Sequence, residues 1–444
     1  MTRTRRLMTG DGHATSNASQ RARRDSSRAR ERCSVGVVSR AQRPALAAAL
    51  ALSLACSLAA ASPQDLFGFG PRLVSLGGTG AAFADDFSAV HANPAGLSRL
   101  RQRSLTLGYV GTAFWLDLDG RHFAADTGSA TMIGVGLPLP FGGVLRDRVA
   151  LGLGFFTPTN VIVRGRITRA TTPQFVILPD RVQTVALQIG LGVSLPAGLR
   201  LGAGVMAMAG LTGTVLVAAD ASGRSSSRID DQLVATYAPV LGAQWERGDW
   251  RVGATYRGSL VATFLVTIEA RDLGISLPVF NISGVAQYDP AQLQVEAAWQ
   301  HRGWTAALGV TGKRWSAYPG PSSATTDNSP VPPAAEFSDT LVPRLGVEHR
   351  WTWDDGTHVA LRGGYFYEPS PAPPATAARA YLDNDRHVFA AGLSVGATAA
   401  GTRYTVDVFS QTHWLAPRDA ATATATVSHG GALLHIGASA SVTF

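Results

Sequence analysis

Residues 185–195 read VALQIGLGVSL. In an extended chain successive side chains point to opposite faces. Val185, Leu187, Ile189, Leu191, Val193 and Leu195 therefore share one face, and Ala186, Gln188, Gly190, Gly192 and Ser194 share the other. Residues 250–264 repeat the pattern, with Trp250, Val252, Ala254, Tyr256, Leu260, Ala262 and Phe264 against Arg251, Thr255, Arg257, Ser259 and Thr263. The chain ends the same way, with Leu434, Ile436, Ala438, Ala440, Val442 and Phe444 against His435, Ser439, Ser441 and Thr443. One apolar face and one small or polar face over ten or more residues is the pattern of a strand that crosses a bilayer at a tilt. Strands of a soluble sandwich run only about 5–6 residues.

The connections set the strand number. Short turn-like links fall near 142–148, 196–198, 247–249, 301–303, 354–356 and 397–401. Longer polar or Pro-rich links fall near 116–128, 157–181, 217–232, 266–290, 316–340, 368–386 and 416–429. They alternate, long links first and last, which predicts about 14 strands in an all-β, transmembrane antiparallel β-barrel. Short turns belong on the periplasmic side and long loops outside. Within 266–290, ISLPVFNISGV reads equally as an additional extended piece. Trp115, Trp250, Trp304, Trp315, Trp351, Trp353 and Trp414 lie near predicted strand ends, where interfacial aromatic girdles form.

Composition agrees. The 444 residues include 48 Gly, and only 16% are charged, against roughly 25% in soluble domains. The formal charge of +8 is carried entirely by residues 1–43, where eleven Arg face Asp11, Asp25 and Glu31; the remainder balances at 28 basic and 28 acidic residues. The bulk of the chain is thus no nucleic-acid binder. Behind the Arg-rich segment, Ala45–Ala61 (ALAAALALSLACSLAAA) is the one long apolar run, ending in small residues. Basic segment, apolar run and small-residue site in that order predict a secretory signal over 1–61, with an atypically long basic region and a true start possible further downstream, at Met8 or beyond. Both cysteines, Cys33 and Cys56, would leave with it.

Residues 62–100 do not alternate. They are rich in Gly and small residues, and nearly forty mostly uncharged residues ahead of a barrel have an obvious destination, its lumen. This predicts a luminal hatch over 62–100 and the barrel over 101–444. Gly77-Gly78-x-Gly80 lacks the spacing of a nucleotide-binding loop.

The stretch 77–97, GGTGAAFADDFSAVHANPAGL, resembles the N-terminal plug of the FadL/TodX (OMPP1) family of outer-membrane transporters of hydrophobic compounds. Residues 136–159, 288–299 (YDPAQLQVEAAW), 313–318 (KRWSAY) and 361–393 resemble later family hairpins and loops. Loops 217–232 and 316–340 do not align. The resemblance implies a monomeric barrel in the outer membrane of a Gram-negative bacterium. It further implies facilitated diffusion of a hydrophobic ligand, a long-chain fatty acid first or an aromatic hydrocarbon, which leaves through an opening in the wall. It assigns hatch and transport roles to Gly77, Gly78, Gly80, Asp85, Asp86, Asn93, Pro94 and Ala95. The terminal Phe444 is the residue that barrel-assembly machinery reads in outer-membrane proteins, and lipid and lipopolysaccharide would surround the wall. A non-transporting adaptor barrel of the same lineage, serving secretion or envelope assembly, is the alternative function.

A fatty-acid carboxylate would need a cation in the lumen. Arg200, Arg257, Lys313 and Arg362 face inward by parity and are the candidate contacts; Arg251, Arg344 and Arg350 share that phase. Their default role, however, is to pair with luminal acids such as Glu296, Glu348 and Asp407, or with the hatch. Met206 and Met208 also face inward, to line a greasy passage or to pack under the hatch. No catalytic set is indicated, since Ser410 and His413 have opposite parity and Asp383 and His387 lie in a loop without a nucleophile. The scattered His residues have no metal-ligand spacing, and no cofactor is expected.

Overall fold

The computed structural model describes residues 63–160, 169–178, 184–219, 225–271, 279–322, 333–422 and 425–444. All lie in the compact unit spanning Ser57–Phe444. The proposed signal sequence, and parts of the outer loops, lie outside the described residues.

The first strands are β1 (Ser104–Leu118), β2 (Arg121–Phe123), β3 (Gly128–Pro138), β4 (Val149–Pro158), β5 (Gln174–Phe175), β6 (Ala186–Ser194) and β7 (Leu199–Ala219). Then come β8 (Ser225–Arg247), β9 (Trp250–Arg257), β10 (Leu260–Arg271), β11 (Phe280–Asp289), β12 (Gln292–His301) and β13 (Trp304–Lys313). The last are β14 (Thr340–Thr352), β15 (His358–Glu368), β16 (Tyr381–Leu382), β17 (Arg386–Ala399), β18 (Thr402–Ala421) and β19 (Thr426–Thr443). Leaving aside β2, β5, β10, β11 and β16, fourteen strands pair antiparallel in sequence order. β19 closes on β1 from Ser104↔Thr443 to Leu118↔His429. Closure leaves the fourteen-strand wall without a free edge, which a lipid environment demands. No helix among the described residues is long and apolar enough to cross a membrane.

The alternation has the expected sense. Leu187, Ile189 and Leu191 on β6, Leu341 and Leu345 on β14, and Val406 and Val408 on β18 are exposed. Their neighbours Gln188, Thr340, Arg344 and Asp407 are buried inside. An apolar belt of this extent is stable only against lipid. The six short turns lie at the end that holds Ser104 and Thr443, the periplasmic end by the turn-length rule.

Three expectations change. The run 250–264 is not one strand: β9 ends at Arg257 and pairs directly with β12, from Arg257↔Gln292 to Trp250↔Trp299. The chain turns inward at Gly258, and β10 and β11 form a hairpin outside the wall ladder, β10 running parallel to the outer half of β7. Leu260 and Ala262 keep the apolar phase but pack on Met206, Met208, Ala238 and Val240. The two methionines therefore lie under this hairpin. Trp315 is no girdle residue, being fully buried with Tyr288 (ring centroids 5.0 Å apart) and Phe337 in a cluster that includes Tyr318. Finally, 217–232 and 416–429 are largely strand, because β7–β8 and β18–β19 extend as long outer hairpins.

Candidate functional site: the hatched lumen

The hatch fills the barrel. Short helices span Pro63–Phe67, Pro71–Ser75 and Ala89–Ala92, and a 3-10 turn spans Pro94–Arg99. Prolines at 71 and 94 start elements where a missing N–H costs nothing. Gly77, Gly78 and Gly80 have φ of 64°, 74° and 154°. A side chain at such values is strained, so the three glycines permit the tight reversal between the second and third helices.

That reversal wraps a wall carboxylate. Glu296 on β12 accepts the backbone N–H groups of Gly80 (2.9 Å) and Ala82 (3.0 Å). Gln294 Nε2 donates to the Gly78 carbonyl (3.1 Å), and Arg344 to that of Gly77 (3.0 Å). Glu296 thus serves the hatch backbone rather than a luminal arginine.

Asn93 is the second clamp. Its Nδ2 donates to the carbonyls of Ala81 (2.7 Å), Ala243 (3.0 Å) and Ala254 (3.2 Å), joining hatch, β8 and β9. Its Oδ1 accepts from Ala95 N (3.1 Å), capping the 3-10 turn that Pro94 begins. Asp85 and Asp86 differ in role. Asp85 pairs with Arg72 (2.8 Å), while Asp86 accepts from Ser88 N (2.8 Å) and the Ser88 hydroxyl, starting the third helix. Burial, then the Asp85 charge, raises the Asp86 carboxyl above its ordinary pKa. Burial also holds His91 well below its usual value, so it is neutral at pH 7.

The hatch backbone lies against the wall because inward positions there are glycine. A Cβ at Gly242 would overlap Asn93 Oδ1, one at Gly253 the Ala81 carbonyl, and one at Gly202 Ala95 N. On the opposite side, Gly346 meets Thr79, Gly364 meets Gly77, and Gly392 meets Ser75. Sequence reading counted these glycines as composition and missed this use. Their inward phase on alternating strands was the available signal.

The four candidate ligand cations all have protein partners. Arg200 pairs with Glu246 (2.7 Å), which also takes Arg99 (2.6 Å). Arg257 donates to the His91 carbonyl (2.8 Å) and to Gln292 (2.9 Å). Lys313 bridges Glu368 (2.7 Å) and Asp65 (3.1 Å), the latter on the Pro63–Phe67 helix. Arg362 joins Glu348 and Asp407, both at 2.7 Å, and Glu348 in turn holds Arg72 of the hatch (2.7 Å). Their geometry ties hatch to wall. A buried pair of this kind is costly to break, because the remaining charge is left without solvent or partner.

The two sides of the first helix differ, one apolar and one polar. A cavity of about 10 Å³ beside the first helix is lined by Phe67, Phe69, Val74, Val110, Met132, Phe156 and Phe409, with His435. A second, of about 20 Å³, lies on the helix's other side near Asp65, Arg257 and Phe366. Neither holds more than a water. Among the described residues no group of His, Cys, Asp and Glu is placed to hold a metal ion.

The family described as outer membrane protein transport protein (OMPP1/FadL/TodX) matches residues 74–433. Alkane uptake protein A of Marinobacter nauticus is 24% identical over 386 residues, covering 80% of this chain and 83% of that protein. A Pseudomonas aeruginosa FadL homologue shares the fold with a TM-score of 0.55 at 15% identity, covering 88% of this chain and 99% of that one. The P. putida toluene transporter TodX does so with a TM-score of 0.53 at 16% identity, over 86% and 99%. The chain belongs to the OMPP1/FadL/TodX family of outer-membrane transport proteins, and its place is the outer membrane of a Gram-negative bacterium.

Proposed function

We propose that this protein carries hydrophobic small molecules inward across the outer membrane, with long-chain fatty acids as its substrate. The observation that supports this reading best is the apolar cavity and core on one side of the Pro63–Phe67 helix. A short, fully buried helix held by one ionic cluster can be displaced by a ligand that replaces its apolar contacts. Burying a hydrocarbon chain returns about 0.8 kcal/mol per CH₂. A long chain thereby has the driving force to compete with Leu66, Phe67 and Phe69.

A second reading has a specific observation in its favour. All four candidate cations are engaged by protein acids or carbonyls, no Arg or Lys among the described residues lines the apolar cavity, and the Marinobacter relative is named for alkane uptake. Uncharged alkanes would need no cation at all. Uptake of labelled oleate and of labelled hexadecane, in cells with and without the gene, separates the readings. Gene-dependent oleate uptake is the expected result. Uptake of hexadecane alone would replace the fatty acid by an alkane, and no gene-dependent uptake of either would favour the adaptor barrel.

A further inference from the structure

At the short-turn end, between the hatch and the wall, lies a cavity of about 400 Å³. Its size is that of a small-molecule site, and its lining is unlike that of the apolar cavity beside the first helix. Seven arginines line it against three aspartates. Glu246 and Glu348, which pair with this lining from behind, bring the balance only to seven against five. Three of the arginines have no carboxylate partner among the described residues. Arg101 reaches only the carbonyls of Ser98 and Leu100. The guanidinium groups of Arg350 and Arg403 make no hydrogen bond or ion pair there, and Arg350 Nε is buried. Arg350 is half-buried with its Nε out of solvent, whereas Arg101 and Arg403 are exposed; like-charged guanidinium groups gathered at one cavity repel each other. A ligand anion relieves that repulsion, gives the Arg350 Nε an acceptor and takes forked, charge-assisted hydrogen bonds.

We propose that this vestibule binds a small soluble anion carrying two or three charges, of the carboxylate or phosphate class. Arg350 and Arg403 hold it from the wall and Arg101 from the segment that joins hatch to barrel. The barrel wall separates the cavity from bilayer headgroups, so the ligand comes from the periplasmic solution. Because the contacts come from both sides, bound anion cross-links hatch to wall. This inference is independent of the cargo.

Titration calorimetry on the full chain in uncharged detergent, with citrate and separately with inorganic phosphate at low ionic strength, tests it. Saturable binding of at least one, near one per chain, is expected, with a rise in Tm that chloride at equal ionic strength does not give. R350Q/R403Q, in protein that keeps the heat-modifiable gel mobility of a folded barrel, should bind at least about tenfold more weakly and lose the Tm rise. R228Q, exposed on the outer part of β8 at the other end of the barrel, should bind like the parent. Absence of saturable binding by the parent protein, or equal binding by R350Q/R403Q, would overturn the proposal.

Discussion

At the residue scale the hatch depends on a few polar side chains meeting glycines. Asn93 makes three bonds to carbonyls and one to an amide, all within buried backbone. A typical bond of this kind contributes about 1 kcal/mol net, and a lost cap about as much. N93A should therefore weaken hatch docking by roughly 2–4 kcal/mol, with the barrel intact. Hydrogen exchange reads this locally: amides of residues 77–99 should exchange on the order of a hundredfold faster, while those of β14–β19 stay protected. G242A should act in the same direction without touching Asn93, because its Cβ would occupy the space of Asn93 Oδ1. G111A, on β1 with open space around the position, should leave exchange unchanged. Equal hatch protection in N93A and the parent would show that the clamp contributes nothing.

At the element scale, period-two alternation made the wall strands legible, because lipid on one side and a packed lumen on the other constrain every second residue. The same signal failed where an apolar phase continued into a different environment. Leu260, Ala262 and Phe264 keep the parity of Trp250 and Tyr256, yet they are buried by an inner hairpin. Nothing local distinguishes an outward apolar residue from one pressed against β7. Trp315 fails for the same reason, since its burial depends on Tyr288 of β11 and on Phe337, both more than twenty residues away. The inward cations were legible as inward, but their partners Asp65, Glu348 and Glu368 could not be assigned without the fold. The hairpin permits a direct test of topology. Because Arg257 already pairs with Gln292, removing 260–289 leaves Gly258, Ser259, Pro290 and Ala291 as a four-residue connection, an ordinary hairpin length. The Δ260–289 protein should still fold into a closed barrel with unfolded and folded gel forms. Failure to give a folded form in outer membranes or detergent would mean that β10 and β11 are needed for closure.

At the scale of the whole molecule, two devices occupy the lumen: the hatch at the short-turn half and the β10–β11 hairpin, packed against β7, β8 and the Trp315 cluster. They are not equivalent. The hatch contacts glycines on both sides of the barrel, and its first helix fills the centre, leaving beside it cavities of only about 10 and 20 Å³. The hairpin lines one side. Without the hatch, the glycines that accommodate it would present bare backbone to a wide lumen, and a fourteen-strand barrel approaches the size at which porins hold an aqueous channel. Deleting 63–97 should therefore convert a closed protein into a steadily conducting pore in planar bilayers, whereas Δ260–289 should remain closed. The clamps predict a graded series as well, with N93A showing brief openings at a frequency between the two. Unchanged conductance in Δ63–97 would remove the hatch as the barrier, and an open Δ260–289 would transfer that role to the inner hairpin.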